Sequence, residues 1–165
     1  MIFITLGSQK FQFDRLLRAM DDLAAGADIH HDIFAQTGAS TYIPKNFPSQ
    51  PYLNTDAFKE AMRRADIVIT HGGTGAIINA VKLSKKVIVV PRLARYGEHV
   101  DDHQLQIMRT FADLNLVLPC ENTDALAQKI SAAERMTFRS YQSNTHTIVN
   151  SIDAYIQQQI KLRGR

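Results

Sequence analysis

The sequence predicts a Rossmann-like α/β domain, a doubly wound parallel sheet with helices on both faces, on three observations. Short continuous runs of β-branched and aliphatic residues recur along the 165-residue chain. Between them lie stretches whose apolar residues repeat at three- and four-residue steps. Two of the apolar runs end in glycine-containing loops. Continuous rather than alternating apolarity implies burial on both faces, which parallel strands between helix layers require. Regular alternation of strand and helix selects the doubly wound class.

Ile2–Leu6, Ile33–Gln36, Ile67–Thr70, Val87–Val90 and Leu116–Leu118 read as strands, with Tyr52–Asn54 as a further one. Phe13–Ala25 reads as a helix, with Leu16, Leu17, Met20 and Leu23 on one stripe, and Asp56–Ala65 as another, with Phe58 and Met62. Thr74–Leu83, Val100–Phe111 and Thr123–Ala133 complete the set. The proline-rich stretch Gly38–Pro51 reads as an ordered surface loop. Near the end, Phe138, Tyr141, Thr145, Ile148, Val149, Ile152, Tyr155 and Ile156 predict a long amphipathic helix over about 138–162. Its stripe packs either on the chain's own sheet or, because it continues to Ile160, on a partner; a homodimer through it is compatible with the pattern.

Length and composition fit one domain, 1–165. With 45% hydrophobic and 21% charged residues, disorder is not indicated, and a net charge of +3 is too small to argue for nucleic acid. Only the tail Lys161, Arg163, Arg165 is a short basic run, either solvated or touching anionic lipid. Cys120 is the single cysteine and reads as a buried thiol. No apolar stretch approaches the ~20 residues of a membrane span, and Met1–Leu6 reads as a strand rather than a signal peptide. The expected compartment is the cytoplasm.

In an open parallel sheet, ligands bind beyond the carboxyl ends of the strands. Leu6-Gly7-Ser8-Gln9 follows the first strand, and Thr70-His71-Gly72-Gly73-Thr74-Gly75 follows Ile67–Ile69 and opens a helix. Glycines let backbone approach an anion, and a helix start supplies unpaired N–H groups with about half a positive charge. The expected diphosphate cradle is therefore Gly7, Ser8, His71, Gly72, Gly73 and Thr74. Neither loop is a GxGxxG fingerprint, and there is no GxxxxGK[ST], so NAD and P-loop ATP binding are disfavoured. Pro91–Gln104 opens on the same edge and concentrates Arg92, His99, Asp102, His103 and Gln104, a set suited to sugar hydroxyls and phosphate charge. His99, Asp102 and His103 carry metal-ligand side chains, but no metal is expected.

In order, Thr5-Leu6-Gly7-Ser8, Gln36-Thr37-Gly38, Ala65–Gly75, Lys86–Pro91 and Asp102-His103-Gln104 resemble the C-terminal half of family-28 GT-B glycosyltransferases, across residues 1–130. The stretch 91–104 is most similar to the small subunits of split exopolysaccharide and capsule β-1,4-transferases. A eukaryotic counterpart acting on dolichol-linked sugar is more distant. The resemblance implies a UDP-sugar as substrate, no cofactor, and galactose as the favoured hexose. It implies that His103-Gln104 touches the donor sugar and that backbone near Leu53 takes uracil. Relatives carry Glu at the position of Asn79, where it grips the ribose, so Asn79 makes a weaker contact there. It also implies a membrane-anchored partner that carries the lipid-linked acceptor and the catalytic base, leaving no catalytic residue in this chain. Two alternatives are a non-catalytic nucleotide-binding regulatory module and a self-contained α/β enzyme on a phosphorylated metabolite, with His71 or His99 as general base.

Overall fold

The protein is described by a computed structural model covering residues 1–26, 29–143, 145 and 149–156. Strands β1 (Ile2–Thr5), β2 (Ile33–Gln36), β3 (Ser49–Gln50), β4 (Ile67–Thr70), β5 (Lys86–Val89) and β6 (Leu118–Pro119) form one parallel sheet in the order β3-β2-β1-β4-β5-β6. The helices are α1 (Asp14–Ala25), α2 (Thr55–Arg64), α3 (Thr74–Lys82), α4 (His103–Asp113) and α5 (Leu126–Arg135). Thr5 pairs in register with both Gln36 and Thr70, and Thr70 with Val89, so four loops leave the sheet along one line. Strand order reverses between β1 and β4, the place where loops diverge and the crevice of such a sheet takes its ligand.

Successive strand residues serve opposite faces. Ile2, Ile4, Ile67, Ile69 and Ile88 pack under α1 and α5, against Leu16, Leu17, Met20, Leu126 and Ile130. Phe3, Val68, Val87 and Val89 pack under α2, α3 and α4, against Met62, Ile77, Val81 and Met108. Both faces are covered, as the unbroken apolarity of the strands requires.

Three expectations are corrected. The edge strand is Ser49–Gln50 rather than Tyr52–Asn54, because Asn54 caps α2 by accepting a bond from the Ala57 N–H. Prolines are tolerated beside it since the edge supplies carbonyls: Pro48, Gln50 and Pro51 accept from Ala35, Thr37 and Gly38. β6 lies slightly later than expected, at Leu118–Pro119, again with proline on an edge.

The third correction concerns the C-terminal helix. Residues 136–143 are not helical, and Arg139 N–H donates to Asn115 O instead. Phe138 joins the core under α1 and α5, whereas Tyr141 joins the other one. Residues three apart on a helix would share a side; only irregular chain passing the sheet edge reaches both cores. Helix is described at 149–156, where Val149, Ile152, Tyr155 and Ile156 are exposed rather than packed on the sheet. His146, Ile148, Ile160 and the basic tail Lys161, Arg163, Arg165 lie outside the described residues. Among those described, no helix is long and apolar enough to cross a membrane. The loop 38–51 is held by buried Asp21, which accepts from Tyr42 Oη and the Lys45 and Asn46 amides.

Candidate functional site at the carboxyl edge of the sheet

His71, the first residue after β4, is only 8% exposed. Its imidazole lies between two loops. A Cβ on Gly7 would come within 2.8 Å of His71 Cε1, and one on Gly73 within 2.3 Å of His71 Nε2. A Cβ on Gly72 would stand 2.6 Å from Gln104 Cβ. These three glycines therefore make room for protein side chains rather than for a ligand. Gly7 also requires its positive φ of 74°. Gly75 differs, because a Cβ there would meet nothing within 4 Å.

The amides divide in the same way. Gly72 N–H donates to Gln104 Oε1 at 3.0 Å, and Gly73 N–H to His71 O at 2.8 Å. Gly73 is the N-cap of α3 and has no side chain to cap it. Ile77 N–H is the first to bond back into the helix, to Gly73 O. The N–H groups of Thr74, Gly75 and Ala76 are left without a partner among the described residues, at a surface that is open at Thr74 and Gly75. The unpaired amides thus sit two residues later than the cradle expected at Gly72, Gly73 and Thr74. Only Thr74 is common to both. Ser8 is exposed, early in the loop that follows β1.

Beneath the crevice lies a buried charged network. Arg92, expected to read the sugar, is fully buried: its Nη2 donates to Leu6 O (2.8 Å) and Phe11 O (3.0 Å), and its guanidinium lies over the Phe13 ring. Its Nε and Nη1 have no acceptor among the described residues. Glu98, also fully buried, is engaged by Arg15 through two 2.9 Å bonds and accepts from Leu93 N–H. One carboxylate therefore faces two guanidinium groups, and the floor of the crevice keeps a positive charge. Burial lowers the Arg92 pKa to about 10, with Glu98 opposing the fall, so it stays cationic at neutral pH. Burial first and the Arg92 charge second push His71 down to about 4. A neutral imidazole this enclosed is poorly placed to act as a general base.

Gln104, 2% exposed, is the tie between loops: its Oε1 accepts from both Gly72 N–H and Arg92 N–H at 3.0 Å. Only its Nε2 remains to meet a ligand. Asp102 Oδ1 accepts from Ala94 N–H at 2.8 Å and shapes the turn before α4. His99 lies tilted against the Phe11 ring and meets His103 edge to face, and both imidazoles approach Asp101, which was not among the expected sugar or metal contacts. Metal-ligand spacing was read through Asp102; the structure brings Asp101 to the two histidines in its place.

A cavity of about 720 Å³ between α2 and α3 is lined by Gln36, Leu53, Phe58, Met62 and Asn79. It unites the two residues expected to contact the nucleoside. Asn79 stands one helical turn beyond Gly75, on the same face of α3. A second cavity, of about 630 Å³, is lined by Met1, His31, Asp32 and Phe34 and lies at the opposite, amino edge of the sheet, away from the open amides.

The glycosyltransferase family 28 C-terminal domain model matches residues 1–159. The human UDP-N-acetylglucosamine transferase subunit ALG13 is 25% identical over 115 residues, which are 66% of this chain and 10% of that protein. The chain thus spans about a tenth of that relative. An NMR solution structure of ALG13 superposes with a TM-score of 0.58 at 17% identity, covering 92% of this chain and 93% of that one. The crystal structure of MurG from Acinetobacter baumannii superposes with a TM-score of 0.56 at 21% identity, covering 81% of this chain and 41% of that one. The two superpositions show a shared fold, and the match over residues 1–159 shows that the chain belongs to the family of glycosyltransferase family 28 C-terminal domains.

Proposed function

We propose that the chain is the UDP-sugar-binding subunit of a two-component inverting glycosyltransferase that passes a hexose to a lipid-linked acceptor. The observation that carries this reading is the head of α3. Three uncapped N–H groups open beside a nucleoside-sized cleft that holds Leu53 and Asn79, over a buried positive floor. Such a site fits a diphosphate joined to a nucleoside. The sugar would then project toward His99, His103 and Gln104 Nε2.

In the reaction, the acceptor hydroxyl attacks the anomeric carbon as the bond from that carbon to the diphosphate oxygen breaks. The hydroxyl proton goes to a base on the partner. The α3 amides and the Arg92 charge stabilise the negative charge that grows on UDP. The partner is a membrane-anchored Rossmann-like subunit that carries the acceptor and holds this chain at the cytoplasmic face. The word "subunit" in the relative's name supports a partner of some kind. The exposed residues Val149, Ile152, Tyr155 and Ile156 offer it an apolar surface.

Galactose, in exopolysaccharide or capsule synthesis, is the hexose favoured by the resemblance of residues 91–104. The relative's name favours N-acetylglucosamine as a second reading. Calorimetric titration of the chain with UDP, UDP-galactose, UDP-N-acetylglucosamine, NAD and ATP tests both. UDP and one UDP-sugar should bind while NAD and ATP do not, and the tighter UDP-sugar names the donor. No heat with millimolar UDP overturns the proposal.

A further inference from the structure

We infer that His99, Asp101 and His103 form a binding site for a late first-row divalent cation such as Zn²⁺. One ligand atom from each of His99, Asp101 and His103 lies within 4.8 Å of the other two, and both histidines approach Asp101 Oδ1 through Nδ1. Three ligands at about 2.0–2.2 Å from a tetrahedral metal stand about 3.4 Å apart. His99 Nδ1 and Asp101 Oδ1 are 3.4 Å apart already, whereas His103 Nδ1 is hydrogen-bonded to the same oxygen and has to give up that bond and draw back when an ion enters.

A second observation is independent of the spacing. The His99 side chain is 9% exposed, and its Nδ1 is buried with no hydrogen-bond partner among the described residues, because the approach to Asp101 lacks hydrogen-bond geometry. A buried ring nitrogen without a partner is costly, and the nearest acidic oxygen, on Asp101, lies 3.4 Å away. Asp101 and His103, 58% and 44% exposed, leave the other side open to an entering ion. His103 N–H donates to Asp101 Oδ1 at 3.1 Å and fixes the carboxylate, as outer-shell bonds do in metal sites.

Imidazole and carboxylate donors suit Zn²⁺, Co²⁺ or Ni²⁺ better than Mg²⁺, which prefers oxygen. Three protein ligands leave a fourth position for water. Coordination through Nδ1 leaves both Nε2–H groups free, so ion and sugar do not compete for the same atoms. The site ties the loop after β5 to the first turn of α4, and it does not depend on the UDP-sugar reading.

The test uses the untagged full chain, stripped with chelator, without nucleotide. Zn²⁺ binding is measured by calorimetry, and Co²⁺ binding by its visible ligand-field absorption. One ion per chain is expected, with Co²⁺ bands of four-coordinate intensity. Loss of an outer-shell group alone weakens metal sites about 10- to 100-fold, so His99→Ala, His103→Ala and Asp101→Asn should each weaken binding more than about ten-fold. His30→Ala, at an exposed histidine elsewhere, should not. Asp101→Asn changes an exposed side chain and keeps the test valid if a histidine variant fails to fold. Absence of stoichiometric Zn²⁺ binding, or unchanged affinity in Asp101→Asn, overturns the inference. Failure to bind UDP alongside intact Zn²⁺ binding would overturn only the donor-site reading.

Discussion

Replacing Gln104 tests the claim that it first of all joins two loops. Gln104→Met keeps the volume and removes the acceptor, so Gly72 N–H and Arg92 N–H lose their shared oxygen. A buried donor left unsatisfied costs about 1–3 kcal/mol. Two of them, relaxing toward the lower end, give a loss of about 2–4 kcal/mol. For a chain of this size, each kcal/mol moves the melting temperature by about 2–4 °C. The melting temperature should therefore fall by at least about 4 °C, read by circular dichroism at neutral pH. Gln104→Glu keeps a carboxyl oxygen at the same reach and should recover most of that loss, while replacing the Nε2 donor that faces the proposed sugar. Its UDP affinity should stay near wild type and its affinity for the UDP-sugar should drop. A Gln104→Met melting temperature within about 1 °C of wild type would refute the tie.

Gly75→Ala should stabilise α3 by up to about 1 kcal/mol in urea titration, yet raise the UDP dissociation constant about ten-fold or more, because the methyl enters open space over the free amides. The depressed His71 pKa means that the unfolded chain binds a proton which the folded one refuses between its value of about 4 and the ordinary 6.5. The resulting stability is complete above pH 6.5 and is lost as pH falls toward 4, by about 3 kcal/mol in all. His71→Gln should flatten the fall in unfolding free energy across that window. Burial raises the Cys120 thiol to about 11, so at pH 8 only about a thousandth is thiolate, and iodoacetamide should label the native chain at least ~100-fold more slowly than the urea-unfolded one.

The two-sided sheet was legible because unbroken apolar runs such as Ile67–Thr70 have no other economical use. Both edge strands were read imperfectly, since their signals are carried by carbonyls beside prolines rather than by side chains. The position of the glycine loops was legible but their reason was not. Gly7 and Gly73 accommodate a ring attached at position 71, and Gly72 accommodates a side chain 32 residues away. Only the fold brings these together. Arg92 was read as a sugar contact within a polar run, whereas Pro91, Arg92 and Leu93 are all buried in the fold. Asp101 and Asp102 were indistinguishable in sequence. The backbone turn sends one to Ala94 and the other to the histidines.

The two sets of amides after β4 have separate duties. Those at Gly72 and Gly73 are consumed in fixing the loop, and that fixation leaves the next three pointing outward at a defined place. A loop whose amides were all free would have to be ordered by its ligand, at a cost in affinity. Here Gln104, Glu98 and Arg15 bear that ordering in the folded protein, and Arg92 adds charge without reaching the surface. A leaving diphosphate gains most from dipoles already oriented before charge develops. The burial of residues that looked like ligand readers is thus compatible with donor chemistry: they hold still the backbone groups that would perform it.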